Sequence, residues 1–176
     1  AFCDPDRTTV AQAAGNIKGQ KEKGRLPATF CFDPTKVPFF TDYREMFDKM
    51  GAQFDAVTVS TPDHMHAAIA IRAMKMGKHV YVQKPLVRTL WEAQEFFKAA
   101  KANGVVSQMG NQGSAGDGFR RNVEIVQSGI LGDVKEVHVW TNRPIWPQGF
   151  AAMKAATTRE IVPVPATLDW NAWLGV

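Results

Sequence analysis

Residues 54–86 read FDAVTVSTPDHMHAAIAIRAMKMGKHVYVQKPL, and this stretch decides the fold. Phe54 to Ser60 is a short β-branched run broken by Thr61-Pro62-Asp63, so it reads as a strand entering a loop. From His64 to Met76 the apolar residues Ala67, Ile71 and Met74 recur at helical spacing, and Gly77 stands where a helix ends. His79 to Gln83 is the next strand, stopped at Lys84-Pro85. Strand, helix and strand make a parallel βαβ unit, and sheets of that kind bind ligands beyond the carboxyl ends of their strands. Ser60 to His64 and Gln83 to Pro85 both fall at such ends. Lys84 is therefore expected to project into a ligand crevice, with Pro85 fixing φ and giving the strand a rigid stop.

Upstream, Asp6 or Thr8 can cap a helix carrying Val10, Ala13, Ala14 and Ile17, which fades between Gly19 and Gly24. Pro38-Phe39-Phe40 is a brief extended segment. Asp42 with Glu45 three residues on spells a capping box, opening a helix that turns Tyr43, Met46, Phe47 and Met50 inward. Downstream, Leu90, Ala93, Phe97 and Ala100 form the expected inner face of another helix, which Asn103-Gly104 ends. Val105 to Met109 is the strand that follows. Phe119 to Gln127 reads as a helix, and Val134 to Thr141 alternates as a long strand with one exposed face.

The chain has 176 residues, 45% of them hydrophobic, enough for one substantial core and part of a second. Its net charge of +4 is mild, and the small basic cluster at Lys18, Lys21, Lys23 and Arg25 has no interleaved aromatics, so it reads as a solvated helix end rather than a nucleic-acid surface. No apolar run reaches membrane-spanning length. Cys3 and Cys31 sit beside phenylalanines without metal-ligand spacing and are expected as buried, reduced thiols. His64 and His66 are two residues apart, whereas a metal pair on a helix needs four, so no metal is expected. His79 and His138 read as structural.

Asp4, at the end of the opening strand, can accept hydrogen bonds from adenosine ribose hydroxyls, which favours NAD over NADP. An acid in a strand-to-helix turn is also commonly a cap. Arg7 can stack on adenine or meet a 2′-phosphate, which leaves NADP open. A dinucleotide fold places a strand and a glycine-rich turn about twenty residues before such an acid, so the chain is expected to be an internal piece of a longer protein. Gly110 to Gly118 is glycine-rich but wrongly spaced for that turn and reads instead as a crossover. The run Trp140 to Pro147 offers tryptophans and an arginine at a strand end, suited to stacking on a sugar ring or to plugging an interface. Asn142, Arg143 and Trp146 are its candidate substrate contacts.

Gln83-Lys84-Pro85 resembles the Glu-Lys-Pro signature of the glucose–fructose oxidoreductase/inositol dehydrogenase/MocA (Gfo/Idh/MocA) family of nicotinamide-dependent dehydrogenases. Ser60-Thr61-Pro62-Asp63-His64-Met65-His66 is similar to that family's cofactor loop, and the order of elements matches from Ala1 to about Val176. One departure is that Gln83 stands where the family usually has Glu, which removes a carboxylate beside the lysine. The resemblance implies an α/β fold: a partial Rossmann-like parallel-sheet domain over residues 1–108, then the start of an α+β substrate domain over residues 109–176. It implies hydride transfer between a nicotinamide cofactor and a sugar, polyol or glycoside carbon, with NAD as cofactor. Lys84 is implied as the catalytic group, an ammonium that orients a substrate hydroxyl and eases its deprotonation if desolvation lowers its pKa. Cofactor contacts are implied for Asp4, Arg7, Ser60, Thr61, Pro62, His64, His66, Gln83, Lys84, Pro85, Asn111 and Gln112, and substrate contacts for Lys84 and Gln112. For His66 the alternative is a helix-start histidine satisfied by backbone. The family also implies an acid/base histidine beyond residue 176, a homo-oligomer formed through the substrate domain, and a cytoplasmic or exported setting. Two other classes stay open: an NAD-assisted glycosidase or lyase acting through transient oxidation, and a non-catalytic cofactor-binding protein.

Overall fold

The computed structural model describes residues 1–27, 29–141 and 163–175. Its contacts divide the chain into two compact units, Ala1–Asn111 with Pro165–Val176, and Gln112–Val164. Among the described residues, the first unit holds five strands, paired in parallel within two sheets. β1 (Phe2–Cys3) pairs with β2 (Phe39–Phe40), Phe2 opposite Phe39. β3 (Ala56–Val59), β4 (His79–Gln83) and β5 (Ser107–Gly110) form the second sheet in that order. The register sets Val59 opposite Val82 and Gln83 opposite Gly110. Neighbouring strands lie about 4.8 Å apart, so the residues leaving β3, β4 and β5 are spaced like teeth along one edge.

Four helices alternate with these strands along the chain: α1 (Thr9–Glu22), α2 (Tyr43–Met50), α3 (His66–Lys75) and α4 (Leu90–Asn103). The core lies where α2, α3 and α4 meet the second sheet, with Phe47, Val59, Ala70, Ala73, Met74 and Val82 almost fully buried. Val80 and Val82 are buried on the central strand, as a sheet covered by helices requires. Thr89 and Glu92 form a complete capping box at the start of α4.

β1 has β2 on one side and β3 has β4 on one side, and among the described residues neither has a strand on its other edge. Between these two free edges lies a cavity of about 850 Å³, lined by Phe2, Cys3 and Asp4 of one and Ala56 to Val59 of the other.

Several expectations change in detail. Thr8 occupies the N-cap of α1 but makes no capping hydrogen bond; Asp6 Oδ1 instead accepts from Thr8 N at 2.9 Å. At α2 only half of a capping box forms, because Asp42 Oδ1 accepts from Arg44 N while Glu45 pairs with Lys49 four residues on. α4 buries Phe96 and Ala99, leaving Leu90 and Phe97 exposed. The doublets Phe96-Phe97 and Ala99-Ala100 fit either face, and packing against α3 selects the first. Cys31 is exposed, in the loop before the short turn Pro34–Lys36, and Cys3 is half-buried.

The second unit contains α5 (Asp117–Gln127), as its periodicity predicts. Residues 134–141, expected as a strand, are exposed and join no sheet among the described residues. Alternation supplies a face to bury, but a strand also needs a neighbour for its backbone groups. Asn142, Arg143 and Trp146, the expected sugar-wall contacts, lie outside the described residues. No described helix is long and apolar enough to cross a membrane.

Candidate functional site

The carboxyl ends of the strands in the first unit gather most of the residues singled out from sequence. Asp4 follows β1 and lines the large cavity. One of its oxygens, Oδ1, accepts from Asp6 N at 2.8 Å, so Asp4 does hold its own turn, and Oδ2 is left to meet a ligand. The neighbouring Cys3 thiol is pushed up to about 12 by burial, with the carboxylates of Asp42, Asp4 and Glu45 adding to the effect. It therefore stays protonated at neutral pH and is no nucleophile. Arg7 is exposed and faces a separate depression with Phe39, Thr41, Glu45 and Lys49. Across the cavity, the hydrogen bond from Arg44 holds the Asp42 carboxyl below the usual carboxylate range.

After β3 the chain passes through Ser60, Thr61 and Pro62, all lining the cavity, into the short turn Asp63–Met65 and then α3. Thr61 Oγ1 is buried and has no hydrogen-bond partner among the described residues. An orphaned buried hydroxyl costs about 1–3 kcal/mol, and a bound polar ligand would relieve it. A hydroxyl donor after β3 with a carboxylate acceptor after β1 fits a polyhydroxylated, nucleotide-like ligand spanning the two loops. The residues present therefore suit a dinucleotide.

His66 is 1% exposed at the start of α3. Its Nδ1 lies 2.7 Å from Pro85 O and its Nε2 2.9 Å from Thr61 O. A neutral imidazole has a single N–H, so it donates to one of these carbonyls, while the doubly protonated ring donates to both. Either way the ring spans the loop after β3 and the loop after β4. This is the backbone-satisfied alternative of the sequence reading, and it ties the cavity to Lys84.

Lys84 stands at the carboxyl end of β4, exposed, with its ammonium unpaired among the described residues; its bond to Pro85 is cis. Neither Lys84 nor Gln83 nor Asn111 lines the 850 Å³ cavity, whose walls stop at the β3 loop. The cavity and the lysine are thus joined only through His66, which spans the loops after β3 and β4. Gln83 is half-buried, and its carboxamide lies so close over Gly110 that a Cβ there would sit 2.9 Å from Gln83 Oε1. Close approach, not turn geometry, is what Gly110 provides. Asn111 follows β5, next along the edge from Lys84; Gln112 opens the short turn Gln112–Ala115 of the second unit.

One part of the site was not foreseen. The segment Pro165–Gly175, with α6 (Trp170–Leu174), belongs to the first unit. Asp6 forms an antiparallel bridge with Leu168, Arg7 N donates to Thr167 O at 3.1 Å, and Asp169 N donates to Pro5 O at 2.8 Å. At its other end His64 Nε2 donates to Trp173 O at 2.8 Å, and the two rings approach to 5.1 Å. Leu168, Ala172, Trp173 and Gly175 line the cavity. The only sequence signal was Asp169 as a cap before Trp170 and Trp173, which identifies a helical turn but not its partner.

Comparison with known proteins bears on the fold and the family. The model of the GFO_IDH_MocA family, described as an oxidoreductase family with an NAD-binding Rossmann fold, matches residues 7–111. A scyllo-inositol 2-dehydrogenase (NADP(+)) of Bacillus subtilis is 42% identical over 67 residues, covering 38% of this chain and 20% of that protein. An alpha-N-acetylgalactosaminidase of Shewanella oneidensis is 28% identical over 134 residues, covering 76% of this chain and 27% of that protein. The crystal structure of myo-inositol 2-dehydrogenase from Lactobacillus plantarum superposes with a TM-score of 0.56 at 25% identity, over 75% of this chain and 34% of that one. The chain thus spans a quarter or less to a third of the lengths of the relatives it matches.

Proposed function

Because the chain belongs to the Gfo/Idh/MocA oxidoreductase family, whose Rossmann fold is NAD-binding, we propose that the whole protein is a dehydrogenase acting on a sugar or polyol CH–OH group. The observation that carries this is the cavity shared by Asp4 after β1 and the Ser60–Pro62 loop after β3, with His66 bridging that loop to Pro85 beside Lys84. A nicotinamide cofactor, when bound, accepts or returns the hydride. The chain's own residues bind, orient and manage the proton. Asp4 would accept from the adenosine ribose, Thr61 Oγ1 would bond a polar group of the cofactor, and the Lys84 ammonium would donate to the substrate hydroxyl, steadying the charge that grows on its oxygen as its proton passes to the acid/base histidine expected beyond residue 176. Gln83 holds the lysine's strand end against Gly110 and contributes no charge.

The groove between β1 and β3 supports a further part of the same reading. Two free parallel edges flank it, so one more parallel strand, preceding residue 1 and ending in a glycine-rich phosphate turn, would complete the sheet. Upstream coding sequence is expected to show strand, glycine-rich turn and helix within roughly twenty-five residues. Upstream sequence without that pattern would remove the dinucleotide reading.

Asp4 is expected to make NAD the preferred cofactor. Its carboxylate repels a 2′-phosphate, and Arg7 lines the adjoining depression rather than the cavity. Titration calorimetry on the whole protein should give NAD at least about tenfold tighter binding than NADP, or roughly 1.4 kcal/mol. Tighter binding of NADP would contradict it.

The activity itself is tested by incubating the whole protein with NAD and a panel of inositols and pyranoses while following the reduced cofactor. The match to the Shewanella glycosidase over 76% of this chain favours a second reading, redox-assisted cleavage of a glycoside. Release of an aglycone from a nitrophenyl glycoside with no net cofactor reduction would select it.

A further inference from the structure

We propose that the segment Pro165–Gly175 is a cofactor clamp: it fixes the distance between the loop after β1 and the loop after β3, and His64 is the latch that holds it. The inference rests on the dinucleotide reading above and adds a part of the site that lies more than a hundred residues from the loops it joins.

Three observations carry it. First, the segment is tied at both ends to residues that flank the cavity. At one end the Asp6–Leu168 bridge and the bonds Arg7 N to Thr167 O and Asp169 N to Pro5 O stitch it beside Asp4. At the other, His64 Nε2 holds Trp173 O at 2.8 Å, two residues beyond Pro62. Second, the span between these ties is stiff. Asp169 Oδ1 caps α6 through Ala172 N, and Trp170 stacks on Trp173 with centroids 4.9 Å apart and planes 4° from parallel. Gly175 closes the segment at φ +83°, against Met65, where a Cβ would collide with the methionine sulfur. Third, the segment forms part of the cavity wall itself through Leu168, Ala172 and Trp173. A short, capped, doubly anchored element across two loops does what a cross-link does. It lowers the ordering cost of presenting both loops to one ligand.

The ligand class follows from the anchors. A molecule that touches one loop gains nothing from a fixed spacing, whereas a molecule with two recognition ends gains as a bivalent ligand does. A dinucleotide has two such ends, and AMP has one. His64 is accordingly a positioning residue, acting on the ligand through Trp173.

The test uses the whole protein as wild type, His64→Ala and His64→Gln, titrated with NADH and with AMP. Gln is the conservative variant because its amide nitrogen can reach Trp173 O in place of Nε2. NADH affinity is expected to fall about tenfold in His64→Ala, the loss of one hydrogen bond's worth of preorganisation. AMP affinity should be unchanged, and His64→Gln should recover most of the NADH affinity. A separate arm reads hydrogen exchange at amides 167–175 of the wild type, which NADH should slow. Equal losses for NADH and AMP in His64→Ala, or unslowed exchange with NADH bound, would show the segment to be packing only and overturn the clamp. If wild type binds NADH and His64→Ala binds it as tightly, the clamp alone falls. If wild type binds neither nucleotide, the dinucleotide reading falls first and takes the clamp with it.

Discussion

Replacing Lys84 with alanine in the whole protein is expected to lower turnover by about two to four orders of magnitude, the usual contribution of a group that takes part in proton transfer. Folding should be nearly untouched, because Lys84 is exposed and its ammonium is unpaired among the described residues. Cofactor affinity should change much less than turnover. The cavity that suits the nucleotide ends at the β3 loop and does not include Lys84. Steady-state kinetics beside NAD binding and a circular-dichroism spectrum separate the outcomes. Unchanged turnover would make Lys84 a surface residue. Lost binding with a lost spectrum would make it structural. Arginine at this position should not rescue, since its planar fork cannot supply the compact, deprotonatable ammonium.

The second large effect is expected at His66, and it combines stability with chemistry. The ring is 1% exposed and sits between two carbonyl oxygens. His66→Ala should cost about 2–4 kcal/mol, from a cavity plus the unsatisfied carbonyls of Thr61 and Pro85. Turnover should fall as well, even at temperatures where the variant is fully folded, because Pro85 O is one residue from Lys84 and loses its tether. Two substitutions separate those contributions. Asparagine places its amide nitrogen near Nδ1, toward Pro85, whereas glutamine reaches the position of Nε2, toward Thr61. His66→Asn should therefore recover turnover better than His66→Gln, at similar thermal stability. If the two recover turnover equally, or if His66→Ala turns over like wild type while folded, the tie does not position Lys84.

Both predictions concern residues legible in the sequence, but legible in different ways. Lys84 could be placed because the signals around it are local: a β-branched strand, a proline stop, and the rule that parallel strands bind ligands at their carboxyl ends. The register then put Gln83 beside Gly110 as neighbouring strands require. His66 was assigned to the site from the family pattern, yet its two carbonyl partners were invisible. One of them, Pro85 O, is nineteen residues away and belongs to the next strand end. Gln83 departs from the family's acid, and only the structure shows its carboxamide lying over Gly110.

What the sequence determined by itself is the βαβ unit of residues 54–86, the helices on either side and the family they belong to, because period, caps and breakers act over a few residues. α3, β4, α4 and α5 fall where those local signals put them. Tertiary structure decided the rest. The alternating run 134–141 had a face to bury but joins no sheet among the described residues, so pattern alone did not make it a strand. The choice of Phe96 over Phe97 for the core of α4 depended on what α3 presents, not on period. The free edges of β1 and β3 appear only once the pairing is known. The return of Pro165–Gly175 to the loops at Asp6 and His64 joins positions from 109 residues apart, His64 and Trp173, to 164 apart, Pro5 and Asp169. Contacts of that separation leave no periodic trace in a sequence, because each end is locally an ordinary turn, and only the folded chain brings them to one edge.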